Sequence, residues 1–144
     1  MLKSISVAAY LAMVAGIAGL VLMRKLLSPA PAVIVVQALA LLLVIWARIT
    51  FGRRSFHAVA NPTDGGLVTD GPYRYIRHPI YTGVCLFAWA AVIAHWSWEA
   101  VACGALILAS SLVRIFCEET LIKVRYPEYG QYSTRTWRMI PFLF

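Results

Sequence analysis

Charged residues are scarce in this sequence. Asp, Glu, Lys and Arg make up 13% of the 144 residues, whereas apolar and aromatic types make up 61%. An average soluble domain has about 25% charged and about 45–50% apolar residues. The shortage of charge therefore excludes an ordinary soluble globular domain and indicates a protein that resides in a membrane.

Cysteine is also rare, and the sequence has no familiar metal-binding motif. The three cysteines, Cys85, Cys103 and Cys117, are far apart and lie in apolar surroundings, and neither CxxC nor HExxH occurs. A disulfide framework or a zinc site requires ligands in a recognisable spacing. We therefore predict no metal site and interpret the cysteines as small buried apolar residues.

Acidic residues are outnumbered by basic ones. There are six Asp and Glu against 13 Lys and Arg, so the formal net charge is +7. Such an excess alone is compatible with nucleic-acid binding, but the long apolar stretches disfavour that interpretation. On a membrane protein, basic residues mark cytoplasmic loops and contact with anionic lipids. The predicted partner is a lipid bilayer rather than a nucleic acid.

Long apolar runs dominate the rest of the sequence. About 20 apolar residues in a helix cross the bilayer core, which is about 30 Å thick. We predict an all-α integral membrane bundle of about four transmembrane helices in a single domain, residues 1–144, with a helical cap on its cytoplasmic side. The predicted spans are residues 4–23, 29–47, 79–98 and 99–117, with a cytoplasmic loop at 48–78 and a cytoplasmic C-terminal segment at 118–144.

Lys and Arg are unevenly distributed between the two ends of these helices. Lys3, the loop 48–78 and the C-terminal segment carry most of them, whereas only Arg24 and Lys25 lie at the opposite end. The positive-inside rule then places both termini and the loop in the cytoplasm. We expect a protein of the inner or plasma membrane whose polar working residues face the cytosol.

The most informative stretch is residues 71–83. Pro79 suits the first position of a helix, where its missing N–H costs nothing. This places Arg77 and His78 at a helix N-terminus on the membrane surface, where free N–H groups and the helix dipole favour an anion. Gly83 leaves room for a close approach by backbone or ligand. The alternative interpretation is that the arginines and tyrosines of this stretch only anchor the helix at the lipid interface.

A second unusual feature is a pair of adjacent carboxylates, Glu118 and Glu119. Negative charge is disfavoured at a helix C-terminus, where the predicted fourth span ends. Pairing with Arg114 and Lys123 at i,i+4 spacing is a simpler explanation, but such pairs contribute only tenths of a kcal/mol. If the helix continues into the cytosol to about Arg125, the acidic pair is less anomalous.

Together the two features offer cations, a helix N-terminus, carboxylates and aromatic rings on one side of the membrane. S-adenosylmethionine carries a carboxylate, an ammonium, a sulfonium and a ribose diol, and its sulfonium is attracted to aromatic faces. The residues alone make this cofactor one candidate among several.

At these residues the sequence resembles the isoprenylcysteine carboxyl methyltransferase family and its relatives, which include phospholipid N-methyltransferases. The resemblance covers about residues 65–144. The shared features are Gly71-Pro72-Tyr73-Arg74-Tyr75, Arg77-His78-Pro79-x-Tyr81-x-Gly83, Glu118-Glu119, Tyr126-Pro127-Glu128-Tyr129, Tyr132 and Ile140-Pro141. Either motif alone is a weak signal, but the two in this order and spacing are specific.

The resemblance implies a membrane enzyme that binds S-adenosylmethionine on the cytosolic side and methylates a lipophilic acceptor, such as a prenylated cysteine carboxylate. By analogy, Glu119 and Arg125 are the predicted catalytic residues near the acceptor. The residues predicted to bind the cofactor are Tyr73, Arg77, His78, Pro79, Tyr81, Gly83, Glu118, Glu119, Tyr129 and Tyr132.

The identity of the acceptor stays open at this point. A carboxylate or thiolate acceptor needs no base, whereas an amine or hydroxyl acceptor would need one, for which Glu119 or His78 is the candidate. A phospholipid amine or a thiol is therefore an alternative substrate. A non-enzymatic membrane scaffold or transporter subunit is an alternative of another class, but it does not explain both motifs in one chain.

Overall fold

The computed structural model describes residues 1–52 and 66–144, and nearly all of its regular structure is helical. Within these two ranges no strand occurs, and the only β-type pairing is an isolated bridge between Ile76 and Trp137. The prediction of an all-α bundle is therefore confirmed. The elements are α1 (Leu2–Leu22), α2 (Pro31–Phe51), a 3-10 helix (Gly71–Arg74), α3 (Pro79–Ala94), α4 (Trp98–Arg125) and α5 (Tyr129–Ser133).

Three of the helices, α1, α2 and α4, are long and apolar enough to cross a membrane. The fourth apolar helix, α3, has 16 residues and rises about 24 Å, which is less than the usual thickness of the bilayer core. The predicted number of apolar helices agrees with the structure, although only three have the length of an ordinary span.

The helices differ from the predicted boundary between the third and fourth spans: α3 ends four residues before position 98, and α4 begins one residue before position 99. The sequence stays apolar through Trp98, but α3 ends at Ala94 and α4 begins at Trp98. The reason is an N-cap at Ser97, whose hydroxyl accepts a hydrogen bond from the amide of Ala100 at 3.2 Å. At its other end α4 continues to Arg125, as the extended-helix interpretation of the acidic pair expects.

The predicted loop 48–78 also begins too early. Helix α2 extends to Phe51 and ends at Gly52, whose φ of 67° is a conformation that residues with a side chain rarely adopt. Residues 53–65 of that loop lie outside the described residues. The part that follows folds as the 3-10 helix Gly71–Arg74 before α3 begins.

Small residues allow the helices to pack closely. Helix α1 packs on α4, and α2 packs on α3. A Cβ added at Gly16 would lie 2.8 Å from Ile107 Cγ1, and one added at Gly19 would lie 2.7 Å from Cys103 Sγ. Such contacts are typical of helices that associate in a membrane. Of the three cysteines, which were interpreted as buried apolar residues, Cys85 and Cys117 are buried, whereas Cys103 is half-buried and takes part in this packing.

The outer surfaces of the bundle are apolar, as expected for contact with lipid. On α1 and α2, side chains such as Leu11, Leu39 and Leu42 are about 60% exposed. Trp96, between α3 and α4, and Trp98, the first residue of α4, are exposed, and tryptophans are typical of the interface between membrane and water.

The C-terminal segment folds back onto the start of α3. The amides of Arg77 and His78 donate to the carbonyls of Trp137 and Arg138, at 2.7 and 2.9 Å, and the amide of Trp137 donates to Tyr75 at 3.0 Å. This reversal of the chain places residues 129–144 beside the two sequence motifs and closes the end of the bundle at which the candidate site lies.

Candidate functional site

The candidate site begins at the N-terminus of α3. His78 is the residue that precedes the helix, and Pro79 occupies its first turn, as the sequence predicted. Both residues are buried, and Thr82 donates a side-chain hydrogen bond back to the His78 carbonyl at 3.1 Å. The local sequence therefore fixes where the helix starts, and the start of the helix fixes where His78 lies.

Glu119 is a buried carboxylate that contacts three basic side chains. Its carboxylate lies 3.0 Å from Arg77 Nε, 3.4 Å from His78 Nε2 and 3.2 Å from Arg138 Nε, and only 3% of the residue is exposed. We call these four residues the Glu119 cluster. A carboxylate buried at the end of a membrane helix requires such partners because burying an unpaired charge is costly.

Arg77 is held on two sides. Its Nε contacts Glu119, whereas its Nη1 donates to the carbonyls of Ser133 (3.0 Å) and Thr136 and to the Thr136 hydroxyl (3.2 Å). The side chain is 8% exposed. These contacts exclude the interpretation of Arg77 as a lipid anchor, since such an anchor would extend into the headgroup region.

Glu118 belongs to a second group on the other side of His78. One of its oxygens accepts hydrogen bonds from the Tyr81 hydroxyl and from Arg114 Nη2, the latter at 3.2 Å. Its other oxygen lies 3.8 Å from His78 Nδ1. The imidazole of His78 therefore lies between the two carboxylates, with Nδ1 towards Glu118 and Nε2 towards Glu119. Two adjacent acids on one helix thus hold a single histidine.

An aromatic cavity adjoins these charges. Four tyrosines, one phenylalanine, Arg77 and His78 contribute to its wall. The residues that line it are Phe51, Gly66, Leu67, Val68, Tyr73, Arg77, His78, Ile122, Tyr126, Tyr129 and Tyr132. A cationic or aromatic ligand with an anionic end would find partners for each part in this lining.

Two tyrosines of the aromatic cavity differ in how their hydroxyls are satisfied. The Tyr132 hydroxyl donates to the Tyr73 carbonyl at 2.6 Å. The Tyr129 hydroxyl is buried, and within the described part of the chain it has no hydrogen-bond partner. Buried polar groups almost always have a partner. This hydroxyl is therefore available to form a hydrogen bond with a ligand in the cavity.

Three phenols of this cavity, those of Tyr73, Tyr129 and Tyr132, are neutral at physiological pH. Burial raises the pKa of Tyr132 to about 12. Burial also raises the pKa values of Tyr73 and Tyr129, and the nearby Glu119 carboxylate acts in the same direction on Tyr129. A neutral phenol donates a hydrogen bond and does not act as a base. The Tyr132 hydroxyl already donates to the Tyr73 carbonyl, whereas the Tyr129 hydroxyl can donate to a ligand.

The structure brings most of the predicted site residues together, although not all of them. Five predicted residues line the aromatic cavity, and Glu118, Glu119 and Tyr81 lie next to His78. Gly83 instead faces α2, where an added Cβ would lie 2.4 Å from Val44 Cγ2 and 2.8 Å from the Ala40 carbonyl. Arg125 is the exposed last residue of α4 and is not among the residues that line the cavity.

Two cations of the site were not among the predicted site residues. Arg114 was considered only as a helix-surface partner of Glu118, and that pair does form. Its position four residues before Glu118 was the available signal. Arg138 gave no signal, because its contact with Glu119 depends on the reversal of the C-terminal chain. Lys123, the other partner considered, is exposed.

A comparison with known proteins assigns the chain to a family. A sequence model of the phospholipid methyltransferase family matches residues 32–129, which is more than half of the chain. The match runs from α2 to the first residue of α5, so it includes both motifs but neither α1 nor Arg138. Comparisons with curated proteins and with solved structures found no match.

Proposed function

The chain belongs to the phospholipid methyltransferase family and is a membrane methyltransferase, and we propose that S-adenosylmethionine, bound in the aromatic cavity, is its methyl donor. The observation that carries this proposal is the buried Tyr129 hydroxyl at the cavity wall, which has no hydrogen-bond partner among the described residues. An apolar cavity would leave no polar group of this kind, whereas a cofactor rich in polar atoms supplies a partner for it.

The residues of the cavity fit the parts of this cofactor. Arg77, His78 and the N-terminus of α3 suit a carboxylate. The tyrosine faces suit a sulfonium, since aromatic rings attract cations. When bound, the cofactor would supply an electrophilic methyl carbon, which bonds to the acceptor as its bond to sulfur breaks and S-adenosylhomocysteine leaves.

The protein contributes position and exclusion of water rather than covalent chemistry. Glu119 is surrounded by Arg77, His78 and Arg138, which favours a role in holding these side chains in place. The predicted action of Glu119 on the acceptor remains a prediction, as does the steering of an anionic acceptor by Arg125. Helix α5 and the C-terminal segment cover the site.

The acceptor in this proposal is lipophilic and reaches the site from the bilayer. Its reacting group is a carboxylate of a prenylated cysteine, a phospholipid amine or a thiol. The proposed orientation places the cavity and both termini in the cytoplasm, because Lys and Arg are concentrated at that end of the helices.

One experiment tests donor, acceptor and orientation together. Purified protein in sealed vesicles receives S-adenosylmethionine labelled in its methyl group, which does not cross the bilayer. The vesicles contain phosphatidylethanolamine, a prenylated cysteine or a long-chain thiol. We expect extractable label with one acceptor, and only in vesicles whose cytoplasmic face is outside. Label with none of the acceptors, together with no binding of the cofactor, would rule out the proposal.

Replacing Tyr129 with phenylalanine is expected to weaken S-adenosylmethionine binding without destabilising the protein. The affinity should fall about 3- to 10-fold, since a hydrogen bond contributes about 0.5–1.5 kcal/mol. Stability should stay the same or rise, because the lost hydroxyl has no partner among the described residues. Titration calorimetry and thermal unfolding measure the two quantities.

Tyr132→Phe is the matched control for this substitution. It removes a hydroxyl that donates to the Tyr73 carbonyl, so it should lower the unfolding midpoint, which Tyr129→Phe should not. If Tyr129→Phe lowers the midpoint as much as Tyr132→Phe and leaves the affinity unchanged, the Tyr129 hydroxyl serves the fold instead of a ligand.

A further inference from the structure

A buried arginine lies inside the last membrane-spanning helix. Arg114 is 4% exposed and belongs to α4, whose length and composition suit a membrane span. An ionisable side chain at such a position is costly and most often serves function. The cluster around Glu119 does not use it, so the presence of Arg114 requires a separate explanation.

The contacts of Arg114 form a closed network with two residues of the candidate site. Its Nε donates to the Tyr81 hydroxyl at 2.7 Å, and its Nη2 lies 3.2 Å from the Glu118 carboxylate, to which the Tyr81 hydroxyl also donates. Each of the three side chains thus contacts the other two. Such a network fixes the rotamer of every member, because moving one breaks two contacts.

The same guanidinium connects the site to α1. Its Nη1 donates to the Ser6 carbonyl at 3.1 Å, and Cζ of the guanidinium lies 5.2 Å from the centre of the Tyr10 ring. Helix α1 precedes the residues 32–129 that match the family. Arg114 therefore joins a helix outside the matched region to the residues that surround His78.

We propose that Arg114 is a positioning residue, which holds Tyr81 and Glu118 against His78 and so maintains the wall of the aromatic cavity. It acts through Glu118, whose second oxygen lies 3.8 Å from His78 Nδ1, and His78 itself lines the cavity. The inference rests on the proposed function, since its consequence is the affinity for S-adenosylmethionine. A purely structural role would instead affect stability alone.

The test combines substitutions of Arg114 and Glu118. Binding of S-adenosylmethionine and thermal unfolding are measured in lipid nanodiscs for Arg114→Met, Glu118→Gln and the double variant. Arg114→Met should weaken binding about 10-fold, which matches the coupling expected within one polar network. The double variant should bind no more weakly than Glu118→Gln alone, because Arg114 acts through Glu118.

Three further variants distinguish a role of Arg114 in positioning the site from a role in stabilising the fold. Arg114→Lys keeps the charge but not the planar set of donors, so it should restore binding only in part. Lys123→Met removes an exposed cation from the same helix and should change neither the cofactor affinity nor the unfolding midpoint. Gly16→Ala disturbs the contact between α1 and α4 at Ile107, and it should lower the unfolding midpoint without changing the affinity.

The outcomes distinguish this inference from the proposed function. If the wild type binds S-adenosylmethionine and Arg114→Met binds it equally well, the positioning role is wrong while the proposed function stands. The positioning role would also be wrong if the affinity loss of the double variant equalled the product of the two single-variant losses, because Arg114 and Glu118 would then act independently. If the wild type does not bind the cofactor at all, both proposals fall. Should Arg114→Met not fold, the comparison of Arg114→Lys with wild type decides between the same outcomes.

Discussion

Replacing Glu119 with alanine is expected to weaken binding of S-adenosylmethionine by about 100-fold, because removing one partner of a buried, hydrogen-bonded charge pair costs about 2–5 kcal/mol. The carboxylate holds Arg77 and His78 at the wall of the aromatic cavity and Arg138 behind it. Without it, Arg77 and Arg138 repel one another, and all three side chains lose their positions. Titration calorimetry of purified protein in nanodiscs measures the loss.

The control for this substitution is Glu99→Ala, which removes an exposed carboxylate from the first turn of the same helix. Its affinity should equal that of the wild type. Glu119→Gln keeps the volume and part of the hydrogen bonding, so its cofactor affinity should lie between those of the wild type and Glu119→Ala. If Glu119→Ala stays folded and binds the cofactor as tightly as Glu99→Ala, the Glu119 cluster does not organise the site.

Replacing Gly83 with alanine is expected to destabilise the protein while leaving the cofactor affinity of the folded fraction unchanged. The new Cβ would lie 2.4 Å from Val44 Cγ2 and 2.8 Å from the Ala40 carbonyl. Helix α3 must then move away from α2, and overpacking of this kind costs about 1–3 kcal/mol. The unfolding midpoint in detergent or nanodiscs measures the effect.

Gly130→Ala is the matched control, because a Cβ at Gly130 meets no atom of the described structure within 4 Å. A second variant, Gly83→Ala with Val44→Ala, removes the nearer obstacle and should recover part of the lost stability. The resemblance to known methyltransferases assigns Gly83 to the cofactor pocket. An unchanged midpoint together with lost binding in Gly83→Ala would favour that assignment over helix packing.

The features of the fold that could be predicted from the sequence are those set by local chemistry. Pro79 marks the start of α3 because proline fits the first turn of a helix, and the apolar runs mark the membrane helices. The end of α3 could not be read in the same way, since the apolar character continues to Trp98. Ser97 caps α4 in the structure, but hydropathy alone does not reveal which residue caps a helix.

The partners within the site depend on contacts between distant parts of the chain. Arg77 and Glu119 are 42 residues apart, and Glu119 and Arg138 are 19 apart. The motifs indicated that the first two residues share a site, although not that they form an ion pair. Nothing in the sequence near Arg138 indicated that it returns to Glu119, because this depends on how residues 134–144 fold over α3.

Gly83 illustrates how one residue type serves two purposes. A glycine near the start of a helix permits a close approach, but the sequence does not say whether a ligand or another helix approaches. The structure places α2 against it. The prediction that Gly83 binds the cofactor therefore now competes with a packing explanation, which the alanine substitution separates from it.

The measurement that tests the central claim most directly is the binding of S-adenosylmethionine to the purified wild-type protein in nanodiscs. We expect saturable binding to one site per chain, competition by S-adenosylhomocysteine, and a progressive loss from Tyr129→Phe to Glu119→Ala. Absence of binding by the folded wild type, or binding that neither substitution changes, would contradict the assignment of the aromatic cavity as the cofactor site.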